Sequence, residues 1–224
     1  PQGTNFLFSV NPNNTSNQHV IMLGINSGGQ IIAYDGSSNS SEILTDRRYD
    51  DEAYHHIAYT KVANIGSLYI DGRMMGTHDA GYTFQADDKY SIGQEYDGTN
   101  TPSQFFEGII DEVRIWKVAR TEEQIREWMV RNNGLAEEEG LVAAYHFGES
   151  VNQQTLDLTG GYPGTLISTP IHVLSGAPIA DNRPLNDAGI TAIILPDSLP
   201  AGNQAVSAVI YNYCLLYTSP SPRD

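Results

Sequence analysis

Gly93 to Trp116 reads GQEYDGTNTPSQFFEGIIDEVRIW, an acidic loop with two carboxylates one residue apart, followed by a strand. Both alternating sets of that strand hold apolar side chains, Ile109, Val113 and Ile115 in one and Ile110 and Trp116 in the other, so both faces are expected to be covered. A loop anchored by such a strand can hold a hard cation. Glu95 and Asp97 offer charged oxygens, Tyr96 a backbone carbonyl between them, and Gln104 a neutral oxygen that reaches back, a set that suits calcium. The same Gly/Asn/Thr-rich composition also suits a plain solvated turn.

Outward from this loop the chain is a run of short alternating segments separated by turn formers. Asn5 to Val10 reads as a strand, Asn11 to Gln18 as a polar loop, and His19 to Ile25 and Gln30 to Asp35 as a hairpin turned by Gly28-Gly29. Tyr54 to Val62 and Ser67 to Met75 form a second hairpin pattern, with Asp71-Gly72 supplying a tight turn. Lys89 to Gly93 leads into the acidic loop, and Leu141 to Phe147 is a closing strand. Thr121 to Asn132 is the one helix: Thr121 caps it, Gln124 completes a capping box, Glu122 and Glu123 favour the positive end of the dipole, and Ile125, Trp128 and Met129 share one face. This stripe reads as core packing. The pattern predicts two packed antiparallel sheets with one short helix.

The order of the motifs carries a resemblance. Gln94-Glu95-x-Asp97, Phe106-x-Gly108, IDEVRIW at 110–116, HIA-x-T at 56–60 and LYIDG at 68–72 together resemble the laminin-G-like and pentraxin-like branch of the concanavalin-type jelly rolls, over about Asn5 to Phe147. The resemblance implies an all-β, concanavalin A-like antiparallel β-sandwich with one short helix. It also implies N-terminal truncation, since such domains begin one or two strands before the equivalent of Asn5. Calcium ligand roles follow for Asn17, Glu95, the Tyr96 carbonyl, Asp97 and Gln104. The family's early Asp-Asn pair reads Ser16-Asn17 here, so one charged ligand is lost, and a further acidic ligand falls near Thr101, which implies one ion.

On this reading residues 1–175 form the jelly-roll domain, 176–186 a linker, and 187–213 the opening strands of a module that resembles immunoglobulin-like adhesion domains of secreted bacterial surface proteins. Too few strands follow to close that second sandwich. Residues 214–224, CLLYTSPSPRD, look like translated sequencing adapter and are set aside.

Lys+Arg 12 against Asp+Glu 27 gives a formal net charge of −15, which argues against nucleic-acid and anionic-membrane partners. No run is long and apolar enough to insert in a bilayer. The single cysteine, Cys214, leaves no disulfide and no Cys-based zinc site. His55 and His56 are adjacent and point to opposite faces of an extended chain, a poor chelate. The expected function is a noncatalytic, secreted or cell-surface module that uses a calcium-organised loop to hold a glycan or an extracellular protein, alongside neighbouring domains of its own chain. Two alternatives stand beside it: a relative of the concanavalin-fold glycoside hydrolases, and a structural spacer. Retaining hydrolases of that fold need two opposed carboxylates. Here Glu95-x-Asp97 is followed by Thr99 and Asn100 where the second acid would fall.

Overall fold

The computed structural model describes residues 3–13, 20–35, 41–97, 101–132, 134–148, 150–151, 153–167, 170–174, 176–179, 188–189 and 193–194. The strands in chain order are β1 (Thr4–Asn11), β2 (Ile21–Asn26), β3 (Gln30–Tyr34), β4 (Glu42–Arg48), β5 (Ile57–Val62), β6 (Ile65–Ile70), β7 (Arg73–Asp79), β8 (Lys89–Ile92), β9 (Glu95–Asp97), β10 (Thr101–Ser103) and β11 (Val113–Trp116). Helix α1 (Glu122–Trp128) follows, then β12 (Leu141–Tyr145), β13 (Ser150–Val151), β14 (Gln154–Thr155), β15 (Gly164–Leu166), β16 (Val173–Leu174), β17 (Ala188–Gly189) and β18 (Ile193–Ile194).

One sheet has the order β13-β14-β15-β18-β8-β1-β2-β3-β4, a second is β5-β6-β7, and β11-β12, β9-β10 and β16-β17 pair as ribbons. Period-2 alternation explains how they pack. Phe8, Val10, Leu23 and Ile31 from the large sheet meet Ile57, Leu68, Val113 and Tyr145 from the opposite side in one buried cluster. Two antiparallel sheets thus enclose a single core, the arrangement of a jelly-roll sandwich. Fully burying side chains of this size stabilises by roughly 1.5–3 kcal/mol each.

The turns follow their residue chemistry. Gly29 has φ +76°, and a Cβ there would meet Asp50 Oδ1 at 2.1 Å, so the β2–β3 turn requires glycine. The segment read as one hairpin is a three-stranded meander. Ala63 and Asn64 turn β5 into β6, while Asp71 and Gly72, with φ of 51° and 73°, turn β6 into β7. Positive φ at both central residues gives the twist that a tight hairpin needs, so the Asp-Gly pair sits between strands and not within one.

Helix α1 begins as expected: Thr121 Oγ1 accepts from Gln124 N at 3.3 Å and Gln124 Oε1 accepts from Thr121 N at 2.9 Å. It stops at Trp128, short of Asn132. The buried Arg114 guanidinium draws off the carbonyls there, donating to Trp128 O and, at 2.9 Å, to Arg131 O. A cation suits the negative end of a helix. Ile125 packs with Ala58 and Tyr69 on the outer face of the three-stranded sheet. The expected strand over 108–116 starts only at Val113, because Glu112 takes φ 53° and breaks the extended run. Within the segment read as a second module, Gly189 and Ala188 pair with Val173 and Leu174, and Ile193 and Ile194 pair with both Thr165–Leu166 and Ser91–Ile92. The rest of that segment and residues 214–224 lie outside the described residues.

Candidate functional site

The acidic stretch folds as the β9–β10 ribbon, in register Glu95↔Ser103, Tyr96↔Pro102 and Asp97↔Thr101. Proline has no N–H, so the ladder hydrogen bonds fall on the flanking pairs, and the Tyr96 carbonyl is left on the outside of the ribbon. Asn11 Nδ2 donates to that carbonyl at 3.1 Å. Below lies a polar patch on β1 and β8. Ser9 and Ser91 are directly paired, their hydroxyl oxygens 2.6 Å apart, and they lie 3.1 and 3.0 Å from the Gln94 carbonyl. Ser9, Asn11 and Ser91 alternate with the core residues Phe8, Val10 and Tyr90, so they stand on the sheet face that turns away from the core, yet each is buried.

Glu95 is 1 % exposed, and Ser103 Oγ donates to its Oε1. Gln104, half-buried, takes φ 48° and its own carbonyl accepts from Phe6 N at 3.0 Å, tying the foot of the ribbon to β1. Lys89 Nζ stands 5.6 Å above the Tyr96 ring. The ribbon therefore brings Glu95, the Tyr96 carbonyl and Gln104 into one short segment, with Asp97 closing it opposite the exposed Thr101. The side chain of Asp97 and all of Asn17 lie outside the described residues. Among the described residues no three His, Cys, Asp or Glu side chains converge as a metal cluster. The ligand atoms the ribbon offers are all oxygens, and one of its carboxylates, that of Glu95, is buried with the Ser103 hydroxyl on Oε1, a chemistry that fits a hard cation.

The histidine pair has a different role. His55 Nδ1 is 2.8 Å from Asp71 Oδ2 and its Nε2 is 3.0 Å from Asp51 Oδ1. Carboxylate oxygens only accept, so both ring nitrogens donate and His55 is an imidazolium. The hydrogen bond to Asp71 raises its pKa, helped by Asp51 and opposed by partial burial. His56, on the opposite side, is pushed down to about 3 by burial and by the Arg114 charge, so it is neutral. It lines a cavity of about 10 Å³, room for one water, together with Ala58, Arg114, Trp116, Ile125 and Trp128.

Composition and spacing do not single out Asn11, Ser9 and Ser91. The signal was present in FSVN at 8–11, where polar residues alternate with apolar ones in a strand buried on both faces.

The family match and one solved structure agree with this architecture. A candidate carbohydrate-binding protein from Bacteroides ovatus matches with a TM-score of 0.53 at 20 % identity, over 90 % of this chain and 56 % of that one, so the chain spans little more than half of that structure's length. An S-layer domain-containing protein from Clostridium thermocellum matches at 19 % identity over 57 % of this chain and 63 % of its own, with a TM-score of 0.28. No curated protein sequence matches. The family model described as the concanavalin A-like lectin/glucanases superfamily matches residues 1–126, more than half of the 224. This chain belongs to the concanavalin A-like lectin/glucanase superfamily.

Proposed function

We propose that the chain is a noncatalytic, calcium-dependent carbohydrate-binding module of a larger secreted or surface protein. The observation that carries this reading is the β9–β10 ribbon, whose register puts a buried carboxylate and an outward backbone carbonyl side by side on a fold of the concanavalin A-like lectin/glucanase superfamily. The Bacteroides ovatus structure, itself a candidate carbohydrate-binding protein, supports the glycan as ligand class. A noncatalytic role is supported by Thr99 and Asn100 standing where a second catalytic acid would fall. Glu95, Asp97, the Tyr96 carbonyl, Gln104 and Asn17 would hold the ion, which would order the loop and relieve the repulsion between its carboxylates. With Ser16 in place of an acid, the dissociation constant is expected on the order of 10⁻⁴ to 10⁻³ M, the range of extracellular modules. Such a site fills only where calcium is abundant, which favours a location outside the cell.

Thermal unfolding in millimolar calcium and in chelator tests this. At ~10-fold excess over the dissociation constant the wild type gains about 1.4 kcal/mol, and Glu95→Gln/Asp97→Asn gains none. An unchanged wild-type midpoint, or an equal shift in the double variant, sinks the calcium part. A glycan array run with and without calcium then decides the ligand class, and silence in both arms removes it.

A further inference from the structure

We infer that Asn11 is a positioning residue for the cation, aiming the Tyr96 carbonyl from the outward face of β1; this rests on the calcium reading above. Tyr96 contributes through its backbone, so its direction must be set by something other than a rotamer. Pro102 opposite it shifts the ribbon's ladder bonds to the flanking pairs and turns the Tyr96 carbonyl outward. Asn11, 4 % exposed, meets that carbonyl with Nδ2 at 3.1 Å and takes one of its two lone-pair directions.

The carboxamide is itself oriented. Ser9 Oγ lies 2.9 Å from Asn11 Oδ1 and 2.6 Å from Ser91 Oγ, and both hydroxyls also approach the Gln94 carbonyl. These groups make four oxygen–oxygen contacts, and only the two hydroxyl protons serve them. With Ser9 donating to Asn11 Oδ1, the short Ser9–Ser91 contact takes its proton from Ser91, and Asn11 Nδ2 donates to Tyr96, a relay in which each donor polarises the next. A flipped carboxamide would press Oδ1 against the carbonyl oxygen. Three buried polar side chains from two paired strands thus converge on the backbone of the ion loop, where an ordinary sheet face would hold apolar residues or open to water.

The deciding variant is Asn11→Asp, which keeps the shape but has no N–H to give to Tyr96. Calcium is titrated calorimetrically into wild type and variant, and amide hydrogen exchange is measured on the calcium-free proteins. We expect binding weakened by about tenfold or more, the usual effect of removing a partner that orients a metal ligand. Exchange should quicken at 95–97, 101 and 103 with β5 and β6 unchanged. Ser9→Ala, which removes the donor to Asn11 without adding charge, should weaken binding in the same direction by less. If the wild type takes no calcium, the functional reading fails and this inference with it. If the wild type binds and Asn11→Asp binds equally or more tightly, only the inference falls. Exchange that quickens throughout both sheets assigns the loss to general destabilisation and also overturns it. Should Asn11→Asp not fold, Ser9→Ala decides, and an unchanged affinity there overturns the inference.

Discussion

Arg114 Nη2 lies 3.0 Å from Glu112 Oε2, with the two side chains 1 % and 0 % exposed. Both come from the IDEVRIW stretch that marks the family resemblance, and the pair joins β11 to the end of α1 through Arg131 O and Asn132 Oδ1. His146 Nδ1 meets the other Glu112 oxygen. The most recognisable charged residues of the chain are therefore structural.

Removing one partner leaves the other charge buried, so Arg114→Met should destabilise by about 3–5 kcal/mol. Urea unfolding measures this. Arg114→Met/Glu112→Leu should lose less than the two single variants summed, because the uncompensated charge is gone. A single-variant loss under about 1 kcal/mol would mean that water reaches the pair.

His55 and His56 should give opposite pH dependences. The folded pKa of His55 is raised, first by its hydrogen bond to Asp71, so its contribution is fully present below the unfolded value near 6.5 and is lost as pH rises through the folded one. His56 is depressed to about 3 by burial, so the stability tied to its neutral form is present above 6.5 and falls away as pH drops toward 3. Urea midpoints from pH 4 to 9 on His55→Gln and His56→Gln should flatten the alkaline limb in the first and the acid limb in the second. Parallel curves for wild type and variants would contradict both assignments.

Asp157 organises the turn after β14. Its Oδ1 accepts from Ala144 N at 2.8 Å and Thr159 N at 3.0 Å, and its Oδ2 from Gly161 N at 3.1 Å and Tyr162 N at 3.0 Å, with Thr159 Oγ1 also donating. Asp157→Asn turns one acceptor into a donor facing two N–H groups. A loss of about 2–3 kcal/mol is expected, with faster amide exchange at 159–162. A loss below about 0.5 kcal/mol would show the turn holding its shape without the carboxylate.

Thr121→Ala should cost about 1 kcal/mol and Thr121→Ser almost nothing, since only the hydroxyl caps the helix. Thermal unfolding of the pair checks this, and equal losses for Ala and Ser would place the effect in packing.

The local chemistry was legible in residues alone. Gly28-Gly29, Asp71-Gly72 and the Thr121–Gln124 capping box each act within four residues, and each occupies the turn or helix start that its backbone preference dictates. The alternation from Phe8 to Val10 and from Ile57 to Tyr59 likewise put one side of each strand in the core. Where expectation and structure differ, the cause is a distant partner. Helix α1 stops at Trp128 because Arg114, 14 residues earlier, takes its last carbonyls, and β11 starts late because Glu112 turns to meet that arginine and His146.

The candidate site divides in the same way. Sequence by itself determined which oxygens lie together in Glu95-Tyr96-Asp97, because adjacent residues cannot separate, and it determined the sandwich, because period-2 burial admits few other solutions. Only tertiary structure decided that Asn11, 85 positions before Tyr96, is the group that meets its carbonyl, and that Ser9 and Ser91 stand behind it. A strand's alternation says that two residues share a face. Which face lies under the β9–β10 ribbon depends on the pairing of β1 with β8 and on the fold-back of β9, a register set by the packing of the whole sheet.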